Sequence, residues 1–282
     1  MRHSGLRVVL AFAVTSLPTG LLAEVVVDTS LSLTKLQITA SSFTVQVSGV
    51  TASAFTSVFD NLGGPCAATG TVTITVSECQ GFDSETTTAS ANAAQGFVNA
   101  SGGATVSPLI GTAAASSHIN IPDGVADSAG TNDVSPYGDL SGLLEIVDSS
   151  NPTPTPISVT FSATLSGNQS LFSDAGGSAG TPSTPGSEAI FNFLVNGTSE
   201  LFYDNPLSIG PSSMQMNPIS RALMGNDSTL LTNTFYSFDA QVDAESFAMN
   251  TPEPSFFWPA GALSLLCLTR RFRRPDKFST NA

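Results

Sequence analysis

The chain has 282 residues, enough to bury a core of useful size in one large unit or two small ones. Seven of its nine basic residues lie at the two ends, and between residues 24 and 251 twenty Asp and Glu are set against Lys35 and Arg221 alone, a formal charge of −18. Such a surface repels phosphate backbones and anionic headgroups, which excludes sequence-general nucleic-acid binding and electrostatic docking on lipid.

Residues Met1 to Ala23 read as a secretory signal peptide. Arg2, His3 and Arg7 make a positive start, Val8 to Leu17 an apolar run, Pro18 and Gly20 a helix break, and Ala23 a small residue suited to cleavage. The body from 24 to 250 is rich in Thr, Ser, Gly, Ala, Asn and Val, a composition that suits strands joined by polar turns. The chain's 18 phenylalanines argue against disorder.

Period-two alternation marks the first strand at Phe43, Val45 and Val47 and the next at Val72, Ile74 and Val76. Cys66 and Cys79 flank this second strand and are the only cysteines between the terminal segments. In an oxidising compartment they are expected to form a disulfide, the alternative being a catalytic thiol, which needs a nearby base. His118, the one histidine of the body, has no second His or ligand spacing around it and reads as a surface-loop residue. Asp123, Asp127, Asp133 and Asp139 share one Gly-rich, turn-rich stretch. They are the weak candidates for a calcium site, against the plainer reading of a solvated acidic loop.

Residues 149–156, Ser-Ser-Asn-Pro-Thr-Pro-Thr-Pro, read either as an extended linker dividing the body or as a long loop within it. Ile157, Val159, Phe161, Ala163 and Leu165 give the cleanest strand; Phe191, Phe193 and Val195 give another, and Tyr236, Phe238, Ala240 and Val242 the last. Gly176-Gly177-Ser178-Ala179-Gly180 matches a nucleophile-elbow pattern, but Pro182 and Pro185 follow where that motif needs a helix. Many short strands with Gly, Pro, Asn and Ser turns predict an all-β body, an antiparallel β-sandwich. The sole tryptophan, Trp258, lies past the body, leaving Tyr137, Tyr203, Tyr236 and phenylalanines as aromatics for a sugar site.

At the C-terminus, Thr251-Pro252-Glu253-Pro254 precedes an apolar run from Ser255 to Leu268 and then Arg270, Arg271, Arg273 and Arg274, with 275–282 as a tail. As a helix the run reaches about 21 Å, short of a hydrocarbon core of about 30 Å. The arginines would stay on the cytoplasmic side and leave Pro-Glu-Pro outside. This order resembles the PEP-CTERM sorting domain of Gram-negative envelope proteins over residues 251–274. The resemblance implies a short transmembrane sorting helix, an exosortase-type membrane enzyme as partner, removal of the tail, and association with exopolysaccharide. The expectation is an exported, non-enzymatic envelope or matrix protein without a cofactor. A glycan- or calcium-binding module is the alternative, and a secreted hydrolase comes third.

Overall fold

Alternating side chains extend into strands over almost every segment that the computed structural model describes, namely residues 24–60, 64–74, 78–107, 110–122, 130–174, 177–181 and 184–250. The segment read as a signal peptide, with Ala23, the segment read as a sorting signal, with Pro252, Glu253, Pro254 and the four arginines, the tail, and Asp123 and Asp127 lie outside those residues.

The strands in chain order are β1 (Val25–Ala40), β2 (Thr44–Phe59), β3 (Ala67–Thr69), β4 (Thr71–Ile74), β5 (Glu78–Glu85), β6 (Thr88–Gln95), β7 (Val98–Ser107) and β8 (Ile110–Ile121). They continue as β9 (Gly130–Val147), β10 (Val159–Ser173), β11 (Gly177–Ser178), β12 (Ser187–Val195), β13 (Thr198–Leu207), β14 (Ser213–Asp227) and β15 (Phe235–Asn250). Sheet A runs β14-β10-β1-β8-β7-β6-β3 and sheet B runs β13-β12-β15-β9-β2-β5-β4, with β11 against the end of β15. The sheets stack in matching order: β13 meets β14, β15 meets β1 and β8, β9 meets β8 and β7, and β5 meets β6 and β3. The body is therefore all-β and sandwich-like, and every pairing between its named strands is antiparallel.

Strands from either side of residues 149–156 interleave in both sheets, β1 with β10 and β9 with β15. That segment is tethered. Asp148 accepts from the Ser150 and Asn151 amides, Asn233 Nδ2 donates to the Asn151 carbonyl at 2.8 Å, and Thr155 N donates to Thr232 Oγ1 at 3.1 Å.

The interior changes thickness along the sandwich. Toward one end Phe161, Phe193 and Phe238 fill it, with Phe161 and Phe193 ring centroids 5.3 Å apart. Around β7 and β9 the inward residues are small, Ala52, Ala54, Ala91, Ala104, Ala113 and Ala115 among them, and the backbones nearly touch. A Cβ on Gly102 would meet the Phe55 carbonyl oxygen at 2.8 Å and come closer still to that of Tyr137. A Cβ on Gly138 would meet the Ala114 carbonyl at 2.8 Å. Sheets ordinarily pack about 10 Å apart, so side chains of normal size cannot occupy this contact.

Between the two apolar clusters runs a buried polar seam. Thr29 Oγ1 lies 2.6 Å from Ser187 Oγ and 2.9 Å from Ser246 Oγ, and Ser117 Oγ lies 2.6 Å from Ser246 Oγ. Gln169 Nε2 donates to Ser187 Oγ at 3.0 Å, while its Oε1 accepts from Asn205 and Asn217. Each bond joins groups that would be costly to bury alone, and several cross between the sheets, which fixes their relative register.

Candidate binding face

Inward positions of sheet B are fixed by packing, so its outward positions form rows across the strands. One row is aromatic. Register pairs Asp204 with Ile190, Ile190 with Asp243, Asp243 with Tyr137, Tyr137 with Phe55 and Phe55 with Phe82. Phe55 and Tyr137 stack with centroids 5.3 Å apart and planes 25° apart, and Phe82 is 40% exposed. The backbones of Phe55 and Tyr137 rest on Gly102 of the opposite sheet, which gives the ring pair a rigid floor.

Polar rows flank the rings. On one side Glu188 pairs with Glu245, Ser135 Oγ donates to Glu245 Oε1 at 3.2 Å, and Ser57 and Gln80 continue the row. On the other Asn192, Gln241, Asp139, Ser53 and Ser84 are aligned, with Asp239 one outward position further along β15. Gln241 Nε2 donates to Asp243 Oδ1 at 2.9 Å and Ser53 Oγ to Asp139 Oδ2 at 3.2 Å.

These carboxylates are crowded and unbalanced. Lys35, Arg221 and His118, the bases of the described residues, all belong to sheet A. Burial, then the Asp239 charge, pushes Asp139 up to about 7, and burial also raises Asp239. Asp139 Oδ1 is buried without a hydrogen-bond partner, and this burial favours the neutral, protonated carboxyl. Burial, with the Glu245 and Asp239 charges adding to it, raises Asp243 to about 6. Glu188 is raised by burial and by Asp204 and Glu245, and Glu245 by burial and by Asp133. Burial and the charges of Asp139, Asp243 and Asp239 raise the Tyr137 phenol. A face in this state favours an arriving cation or a hydrogen-bond donor and disfavours an anion.

The sequence candidates fall out differently. Cys66 and Cys79 are bridged, Cα atoms 5.4 Å apart, and the bond ties the approach to β3 in sheet A to β5 in sheet B. His118 is on strand β8 and not in a loop, because Ile119 and Ile121 beside it alternate into the core; its Nδ1 lies 2.5 Å from Asp28 Oδ1. The stretch ending at Asp139 is likewise strand from Gly130 onward, since Val134, Pro136, Gly138 and Leu140 all point inward. Asp133 and Asp139 lie six residues apart on that strand, about 20 Å at 3.3 Å per residue, and cannot share a calcium ion. Among the described residues no group of three or more His, Cys, Asp or Glu is arranged to hold a metal. The Gly-rich elbow pattern falls on β11 and on the bridge from Gly180 to Pro185, with no helix after it among the described residues. Tyr236 is buried, its hydroxyl accepting from Leu231 N at 2.6 Å, and Tyr203 packs against the core, so Tyr137 alone of the three reaches the face.

Phe55, Phe82, Asp239, Asp243 and Glu245 do not stand out in the sequence. The signal that marks them is phase: Phe55 is out of step with Ala52, Ala54, Thr56 and Val58, which point inward. No family model, no curated protein and no solved structure matches this chain.

Proposed function

We propose that this chain is an exported, non-enzymatic protein, handed by an exosortase-type enzyme to the cell envelope or extracellular matrix, whose body binds saccharide on the outer face of sheet B. The observation that carries the reading is the Tyr137–Phe55–Phe82 row with hydrogen-bonding rows on both sides. A pyranose ring offers a flat C–H face that packs on an aromatic ring while its hydroxyls donate to carboxylates and amides. The Cys66–Cys79 bridge fits an oxidising compartment, in keeping with the N-terminal signal.

Affinity electrophoresis of the mature protein through gels containing polysaccharide tests the binding. Retardation by at least one glycan, lost in Phe55→Ala and Tyr137→Ala, is the expected result. Retardation that survives both changes, or that is lost instead in Asn99→Ala on sheet A, overturns it. Intact mass of the secreted chain tests the sorting: wild type should end near Pro252 to Pro254, and the variant with all four arginines changed to alanine should keep its tail.

A further inference from the structure

We infer that the saccharide taken by this face is a cationic one, a polymer of amino sugars carrying free, protonated amines. This rests on the saccharide reading above and adds the class of sugar. The charge pattern points there. Asp139 on β9, Asp239, Asp243 and Glu245 on β15, Glu188 on β12 and Asp204 on β13 all face outward around or beside the aromatic row, and Glu78 on β5 and Asp133 on β9 lie further along their strands on the Glu245 side.

No base of the described residues shares the face, so burial, with the neighbouring carboxylates adding to it, raises the proton affinity of these groups and no counter-charge offsets it. A uronate-bearing chain would add its charge to theirs and be repelled. A neutral chain could stack but would leave carboxylates beneath it with less water and no counter-charge, which costs free energy. A chain with ammonium groups stacks its ring faces on Tyr137, Phe55 and Phe82 and pairs its amines with Asp139 beside the rings and with the carboxylates of β15, β12 and β13 further along the row.

The dimensions suit a chain and not a single sugar. From Asp204 on β13 to Phe82 on β5 the row crosses six strands. At about 4.8 Å per strand spacing that is roughly 24 Å, the length of several rings in line. Aromatic residues occupy the β9–β2–β5 end and carboxylates concentrate at the β13–β12–β15 end, with Asp243 and Tyr137 meeting in the middle. Stacking and ion pairing therefore act on successive parts of one extended ligand.

The test is a titration of the full secreted chain with four oligomers: β-1,4-linked glucosamine, the same oligomer fully N-acetylated, oligogalacturonate and oligolysine. The glucosamine oligomer should bind at least ten-fold tighter than the acetylated one, with oligogalacturonate not binding and the preference shrinking as salt rises. Asp243→Asn combined with Glu245→Gln should bring the two amino-sugar oligomers to parity, while Tyr137→Ala or Phe82→Ala should weaken both. Parity in the wild-type protein overturns the inference and leaves the saccharide reading standing. Loss of binding to all three sugars overturns both. Oligolysine binding as tightly as glucosamine, unaffected by Tyr137→Ala, would make the face a dock for basic polypeptides and overturn both as well.

Discussion

The two outer faces of the sandwich differ in almost everything except backbone. Across sheet A one row reads Pro218, Asn168, Ser30, Ser116, Ser101, Asn92 and Thr69, all small or amide-bearing, with Ser101 and Ser116 hydroxyls 2.7 Å apart. Near its β3 edge an open depression of about 520 Å³ is lined by Thr69, Asn92, Asn99 and Ser101 with alanines between. Across sheet B the middle row reads Asp204, Ile190, Asp243, Tyr137, Phe55 and Phe82. Both faces obey the same alternation, so alternation sets only which residues point out and leaves their chemistry free. Concentrating carboxylates and rings on one face, with the bases on the other sheet, is a choice the fold does not require.

The contact beneath face B gives the largest expected difference. Gly138→Val would drive a side chain into the Gly103 and Ala114 carbonyls, backbone atoms that cannot rotate away. The loss should exceed the about 1–3 kcal/mol usual for overpacking. Gly103, which points out of sheet A, would bring a Cβ only to ordinary contact, 3.5 Å from the Ala89 carbonyl, so Gly103→Ala should stay within about 0.5 kcal/mol of wild type. Denaturant midpoints of the two variants make the comparison; equal midpoints would mean the sheets are not pressed together at this point.

The disulfide joins the same two sheets at the β3 and β5 edge. With 13 residues of sequence separation it should contribute about 3 kcal/mol by restricting the unfolded chain. For a body of this size that is a fall in Tm of roughly 6–12 °C on changing both cysteines to serine. A smaller shift would place the stability of this edge in β6 and β5 packing instead.

Face B should also make stability depend on pH. Asp139 is raised from 3.8 to about 7 and Asp243 to about 6, so the folded state holds protons that the unfolded state has released. The stabilising protons are fully present below about 3.8, and stability falls as pH rises from there through 6 and 7. Thermal melts should give a lower Tm at pH 8 than at pH 5. Asp139→Asn, which carries a neutral group at every pH, should flatten that slope. An unchanged slope would place the titration elsewhere.

Several elements are legible in the sequence itself. Phe43 to Val47, Ile157 to Leu165, Phe191 to Val195 and Tyr236 to Val242 carry apolar residues at every second position, all large but Ala163 and Ala240, and all four are strand over most of their length, with those residues inside or partly inside. β6, β7 and β8 are not legible, because their inward residues are mostly alanine and glycine, as small as the serines and threonines that alternate with them. Small residues look like turn or surface until an opposing sheet is pressed against them. The seam of Thr29, Ser117, Ser187 and Ser246 is hidden for a related reason: a hydroxyl reads as solvent-facing unless its partner, 129 or more residues away in each of these pairs, is known. The aromatic row is hidden by size in the other direction, since a large ring is assigned to the core by default, and Phe55 is outside.

The smallest expected effect belongs to the His118–Asp28 pair on face A. His118 Nδ1 and Asp28 Oδ1 are 2.5 Å apart, but the side chains remain 35% and 48% exposed, so water screens the attraction. Exposed ion pairs contribute about 0–1 kcal/mol, and this one lies among Ser and Asn side chains that can rebond to either partner. His118→Ala should therefore change the stability read from the denaturant midpoint by less than about 1 kcal/mol and leave the pH 5 to pH 8 slope of the wild type in place. Asp139→Asn should reverse that ranking on the slope alone. If His118→Ala instead removed the slope, the pH dependence would originate on face A, and the electrostatic contrast between the two faces would have to be assigned the other way round.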